Sequence, residues 1–161
     1  KPLICAIRGV AIGIGVTILL HADLAYADDS ALFQIPFVSL GLSPEGAASQ
    51  LLVQQAGYHK AAELLFTAKK FNSQTALEVG LINAISKDVY NEAEQQAKIL
   101  AALPLASLQQ TKQLMKHNLA QIIECIDHEA EIFMQRVASP EMSEAISAFM
   151  QKRPANFSQF N

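Results

Sequence analysis

The sequence contains no tryptophan, two cysteines in 161 residues, and no lysine or arginine run longer than the pairs Lys69-Lys70 and Lys152-Arg153. Each scarcity removes a class of function. Cys5 and Cys125 are too far apart in sequence for a metal motif, and both lie in apolar contexts. They read as buried free thiols of a reducing compartment. A net charge of −3, with three tyrosines that do not interleave with basic residues, offers nothing to a polyanion, so no nucleic-acid partner is expected. Long apolar runs are missing as well. The longest, Val10 to Leu20, would span roughly 16 Å as a helix against the ~30 Å of a bilayer core, so it reads as a buried helix and no membrane association is expected. The opening Lys1-Pro2 and the apolar residues after it lack the three-part pattern of a secretory signal.

Apolar residues, by contrast, make up 51% of the chain, enough for one sizeable core. Leu3 to Ile7, bounded by Pro2 and Arg8-Gly9, reads as a buried strand. Gly9, Gly13 and Gly15 punctuate a tight passage into a helix over Val16 to Ala22. Asp23 to Ala27, Ala31 to Phe33 and Leu81 to Ser86 read as further strands, and Ala47 to Gln55 and Lys60 to Thr67 as helices. A helix over Phe71 to Val79 carries Asn72-Ser73 as its start signal and Gly80 as its stop. After Asp88 the pattern changes to helical periodicity alone: Val89 to Leu103, Leu105 to Asn118, Gln121 to Val137 and Glu141 to Gln151, broken at Pro104, near Asn118 and at Pro140. The reading is α/β in two parts, 1–88 as a strand-and-helix core and 89–161 as an all-helical region.

Chemistry-bearing residues are few. His21 and Asp23 straddle a helix-to-strand passage and suit core hydrogen bonding better than metal binding. His59, His117 and His128 read as solvent-facing. Asp127 to Glu131 has no histidine where a zinc helix needs one, Ile132 standing there instead, and reads as a solvated face; no metal site is expected. Gly13-Ile14-Gly15 is not followed by the third glycine of a dinucleotide fingerprint. A strand running into a glycine-rich helix start does present unpaired N–H groups to a developing oxyanion, although glycines used for close packing fit equally well. One carboxylate stands out. Glu45, in LGLSPEGAASQ, has no lysine or arginine within a dozen residues. Read locally, Ser43-Pro44-Glu45 is helix-start chemistry, with Ser43 as N-cap and Pro44 at the first helical position.

In order, the KP strand, the Gly9 turn, the GIG segment, HADLAYAD, FQIPF and LGLSPEG strongly resemble the crotonase superfamily of enoyl-CoA hydratases and isomerases, as do KAAELLFTAKKFNSQTALEVGLINAI and AFMQKRPANF downstream. The resemblance covers essentially the whole chain and is strongest to the peroxisomal-type Δ3,Δ2-enoyl-CoA isomerases. It implies the C-terminal part of a ββα spiral followed by a helical region, with Glu45 as the catalytic base in its turn. The backbone N–H of Ile14 is implied as one of two oxyanion donors. Gly13, Thr17, Pro36, Phe37 and Leu40 are implied to line the substrate site. Phe149 and Lys152 are implied to lie where a neighbouring subunit's tail approaches bound coenzyme A, and Lys152 could meet a phosphate there.

Hydratases resembling this chain carry glutamates where Thr17 and Phe37 stand here. Water addition needs acid–base groups at those places; shifting a double bond needs one base and a stabilised enolate. Pairing with a cation would blunt that base, which accounts for the isolation of Glu45. The expected activity is therefore 3-enoyl-CoA to 2-enoyl-CoA isomerisation in fatty-acid degradation, with no cofactor beyond the substrate's coenzyme A. Other superfamily reactions (hydration, dienoyl-CoA isomerisation), a non-catalytic acyl-CoA-binding fragment, and an unrelated α/β domain capped at Ser43 are the alternatives. The resemblance also implies homotrimers or hexamers, and Leu103, Leu105, Leu108, Ile122, Ile123, Ile126, Phe133 and Met134 are an apolar surplus suited to that interface. A bacterial-type cytoplasmic location is expected, a peroxisomal or mitochondrial one being the alternative. Because the chain opens inside a strand, and the second oxyanion donor belongs upstream, the 161 residues alone are expected to be catalytically deficient.

Overall fold

Short apolar strands alternating with turns, followed by long amphipathic helices, build the computed structural model, which describes residues 1–160. The chain lays strands into two sheets in turn. β1 (Ile4–Ile7) enters the first sheet, the Gly9 turn leads to β2 (Val10–Ile12) in the second, and α1 (Ile14–Thr17) with a 3-10 turn (Ile18–His21) carries the chain back. β3 (Leu24–Ala27) then pairs parallel to β1, and β4 (Leu32–Gln34) pairs parallel to β2. One turn of a ββα coil thus stacks on the previous one. β5 (Phe71–Asn72) closes the second sheet antiparallel to β4, and β6 (Ala84–Ile85) extends the first beside β3.

The core lies between these sheets and the helices on them. Phe33, Ile35, Leu52, Val16 and Val89 are essentially solvent-free. The β4–β5 register sets Phe33 opposite Phe71, and their rings stack at 5.4 Å. α2 (Ala48–Ala56) and α3 (Tyr58–Thr67) pack on each other, and α4 (Ser73–Glu78) starts where Asn72 accepts the Thr75 N–H. α5 (Val89–Ala101), capped by Asp88, lies across β1 and β3. α6 (Leu105–Met115), α7 (Leu119–Val137) and α8 (Pro140–Met150) complete the chain, and Ser139 caps α8 ahead of its N1 proline.

Several expectations need correction. Val10 to Leu20 is not one buried helix: it divides into β2, α1 and the 3-10 turn, with Val10 and Ile14 more than two-thirds exposed. Gly13 divides it, at φ +57 and ψ −119, a backbone conformation open to glycine. The segment expected as a helix over Val16 to Ala22 therefore starts two residues earlier and tightens to 3-10 at Ile18. Leu81 to Ser86 contributes only the two residues of β6. Asp127 to Glu131 is not wholly solvated, because Glu129 is buried. Ile122 is buried in the chain's own fold and Phe133 packs against its core, so neither is surplus surface, whereas Leu103, Leu105, Ile123 and Met134 are exposed. Both thiols are free and half-buried rather than enclosed, and burial pushes each above its ordinary value.

Candidate active site

The site gathers around the turn that carries Glu45. β4 runs into Pro36-Phe37 and a 3-10 turn (Val38–Leu40), in which the Leu40 N–H bonds the carbonyls of Pro36 and Phe37. The chain then reverses at Gly41, where an added Cβ would sit 2.9 Å from the Glu141 backbone. That close approach fixes the start of α8 against the loop, and Arg136 clasps it by donating to Gly41 O at 2.9 Å while pairing with Glu141.

Ser43, Pro44 and Glu45 do not start a helix. α2 begins at Ala48, behind Ala47 in the left-handed conformation at φ +58, and Ser43 Oγ is buried without a partner among the described residues. The local capping pattern is overturned because the helix finds its cap elsewhere. Glu129 of α7, 5% exposed, accepts the Ser49 N–H through Oε1 at 2.9 Å. A carboxylate at the positive end of α2 satisfies one orphan donor from a remote helix. Glu45 is thereby released from the capping role.

Glu45 is half-buried, and among the described residues it forms no ion pair. Among these residues its one side-chain hydrogen bond comes from Thr17, whose hydroxyl donates to Oε1 at 2.6 Å. Thr17 is 1% exposed on the last turn of α1. One turn further on, His21 Nε2 lies 2.7 Å from Gly46 O, so the same helical face grips the turn twice. His21 is thus a hydrogen-bonding residue of the site, and Asp23, its neighbour in sequence, goes another way. Asp23 accepts from the Leu3 N–H and from Lys112, and Lys116 donates to His21 O. Partial burial pushes the Asp23 carboxyl up, but the bonds from Lys112 and Leu3 and the charges of Lys112 and Lys116 more than offset it, holding it below the usual carboxylate range.

Gly13 and Phe37 form the adjoining wall: a Cβ on Gly13 would lie 4.0 Å from the Phe37 ring. Gly13 donates to Gln34 O of β4 at 3.0 Å, which ties the α1 start to the FQIPF strand. The next N–H, that of Ile14, bonds no group among the described residues. Ile12, Ile14, Ile18 and Val38 leave apolar surface open beside these groups. Gly13 thus meets Phe37 and Thr17 meets Glu45, with Ile14 following Gly13 at the start of α1 and Pro36 and Leu40 in the loop that leads from β4 to Glu45. Phe149 and Lys152 lie elsewhere: both are exposed at the far end of α8, with Lys152 at φ +54. His59, His117 and His128 are exposed, and no three His, Cys, Asp or Glu side chains among the described residues come together to hold a metal.

Thr17 is expected from the sequence as a substrate-lining residue and as a missing carboxylate, whereas its hydrogen bond to Glu45 is not. The i, i+4 spacing of Thr17 and His21, two polar residues on an otherwise apolar helix, was the available signal. Glu129 gave no local signal, because its partner is 80 residues away.

Residues 1–160 match the family model described as enoyl-CoA hydratase/isomerase. Enoyl-CoA delta isomerase 2 from Rattus norvegicus is 34% identical over 96% of this chain and 40% of its own length. A 2,3-dehydroadipyl-CoA hydratase from Escherichia coli K12 is 29% identical over 98% of this chain and 63% of its own. Among solved structures, a proposed enoyl-CoA hydratase/isomerase from Acinetobacter baumannii is 77% identical, with a TM-score of 0.89 over 89% of this chain and 62% of that one. An enoyl-CoA hydratase/isomerase from Pseudoalteromonas atlantica superposes with a TM-score of 0.94 at 34% identity, over 98% of this chain and 65% of that one. The chain thus spans between two-fifths and two-thirds of the length of these relatives.

Proposed function

The chain belongs to the enoyl-CoA hydratase/isomerase family, and within it we propose that the protein carrying this chain isomerises 3-enoyl-CoA to 2-enoyl-CoA thioesters. The observation that carries the reading is the surroundings of Glu45: a half-buried carboxylate with no cationic partner among the described residues, held by the neutral hydroxyl of Thr17, with Thr17 and Phe37 standing where hydration would need further acids. In this reaction Glu45 takes a proton from C2. The electron pair left behind delocalises through the carbonyl and the C3=C4 bond as a dienolate. Glu45 then returns a proton to C4, leaving the double bond between C2 and C3 and the thioester carbonyl restored. The Ile14 N–H supplies one donor to the thioester oxygen while it bears the negative charge, a contribution of about 3 kcal/mol for an oxyanion donor of this kind.

The apolar surface of Ile12, Ile14, Ile18 and Val38 suits an acyl chain. The same reading includes homotrimeric or hexameric assembly through the helical region 89–161, a coenzyme A contact from Phe149 and Lys152 across that assembly, a cytoplasmic location, and no cofactor beyond the coenzyme A of the substrate. Assay of the complete gene product with 3-enoyl-CoA and with 2-enoyl-CoA tests it. Isomerisation is expected to exceed hydration by at least two orders of magnitude, the range that one missing acid–base group accounts for. Hydration at a comparable rate would overturn the reading.

A further inference from the structure

We propose that Thr17 is the positioning residue of the Glu45 base: its hydroxyl anchors Oε1 and leaves Oε2 as the oxygen that carries the proton. The inference rests on the isomerase reading for the identity of that proton and on this chain's geometry for the rest.

A threonine in a helix ordinarily turns its hydroxyl back to the carbonyl four residues earlier. For Thr17 that carbonyl is Gly13 O, which already accepts the N–H groups of Val16 at 2.8 Å and Thr17 at 3.0 Å. The hydroxyl is directed to Glu45 instead, and at 2.6 Å it makes a charge-assisted bond of the short kind. β-branching stiffens χ1, and burial to 1% leaves the side chain no room to swing away. The far side of the contact is equally fixed. Gly46 takes the left-handed conformation at φ +72, and its Cβ position would lie at ordinary contact distance from both groups, 3.5 Å from Thr17 Oγ1 and 4.0 Å from His21 Nε2, so the turn is packed against them.

A glutamate has three rotatable side-chain bonds, and a single base that serves both C2 and C4 must reach each without wandering. Anchoring one oxygen turns the carboxylate into a pivot. Oε2 has no hydrogen-bond partner among the described residues and is not sealed from solvent, so it is the oxygen left for substrate. A hydroxyl suits this better than an ammonium or guanidinium, because it orients the carboxylate without neutralising it.

The test compares Thr17→Val, which keeps shape and loses the hydroxyl, with Thr17→Ser, which keeps the hydroxyl and loses a methyl, in the complete gene product. Thr17→Val is expected to lower kcat roughly 10- to 100-fold, as a misplaced catalytic group does, with KM for 3-enoyl-CoA within about twofold. Thr17→Ser is expected to recover most of the loss. Thr17→Ala stands in if the valine variant does not fold. Exchange of the C2 protons of a saturated acyl-CoA in D2O, read by mass spectrometry, follows proton removal without requiring isomerisation. Wild-type exchange without isomerisation, lost in Thr17→Val and kept in Thr17→Ser, would sink the isomerase reading and sustain the positioning role. Hydroxyl-free variants with wild-type kcat and exchange, or a serine variant as impaired as valine, would overturn the positioning role alone. A wild type that neither isomerises nor exchanges would overturn both.

Discussion

Phe133 of α7 meets Phe37 edge to face, the ring centroids 6.2 Å apart and the planes at 84°. One ring belongs to the helical region and the other lines the wall beside Gly13, so a long helix of the second half of the chain supports the site from behind. Removing that support should be felt in both stability and rate. Phe133→Ala is expected to lower stability by about 1–2 kcal/mol, from a half-buried ring and its aromatic partner, measured by urea denaturation. A turnover loss larger than the fraction unfolded would show that the Phe37 wall shifts with it.

Glu45→Gln keeps size and hydrogen bonding to Thr17 but removes the base. Turnover of 3-enoyl-CoA by the complete gene product should fall by roughly 10² to 10⁴, the span of acid–base groups. Because Glu129 and not Glu45 serves the start of α2, the melting temperature should stay close to wild type. A glutamine variant with near wild-type turnover, or one that melts early, would return Glu45 to a structural role.

Asp23 gives a pH dependence whose sign is fixed. Its pairing with Lys112 holds the carboxyl below its ordinary range in the folded protein. The stabilisation is therefore complete above the unfolded aspartate value of about 3.9, and it is lost as pH falls through the lower folded value. Urea midpoints of wild type and Asp23→Asn should differ most near neutral pH and converge in acid. A gap that widens on acidification would contradict the assignment.

Leu103, Leu105, Ile123, Met134, Phe149 and Met150 are exposed apolar residues of the helical region, more than scattered surface positions require. Light scattering of the complete gene product at micromolar concentration should show a trimer or a multiple of it, and replacing Phe149 and Met150 with serine should shift the population toward monomer. A monomer in the wild type would refute self-association through these helices.

The second half of the chain was the more legible one. α5 to α8 follow 3.6-residue periodicity with proline at Pro104 and Pro140 to break them, and their limits fall within three residues of those expected. The strand-rich half was legible in part. β1, β3 and the three-residue β4 were readable as apolar blocks between turn residues, whereas β2 and β5, three and two residues long, lie inside segments whose apolar content and start signals favour helix. In the site, the isolation of Glu45 and the glycine turn could be read from residue types, and the order of motifs pointed to the family. The Ser43 cap failed because capping patterns report local chemistry, and the group that satisfies α2 comes from Glu129. The Thr17 and His21 bonds to the glutamate turn span 28 and 25 residues, distances over which a sequence pattern carries no orientation.

The remote cap on α2 also orders events in time. Chains emerge from the ribosome N-terminus first, so Glu45, Thr17 and His21 are all synthesised long before Glu129. Until α7 docks, the first turn of α2 lacks its acceptor, and Ala47 must hold a left-handed conformation without the contact that rewards it. The turn that carries Glu45 is therefore expected to settle only once α7 has docked. A nascent chain halted before residue 129 would hold Glu45, Thr17 and His21, yet lack the carboxylate that satisfies the start of α2 beside them.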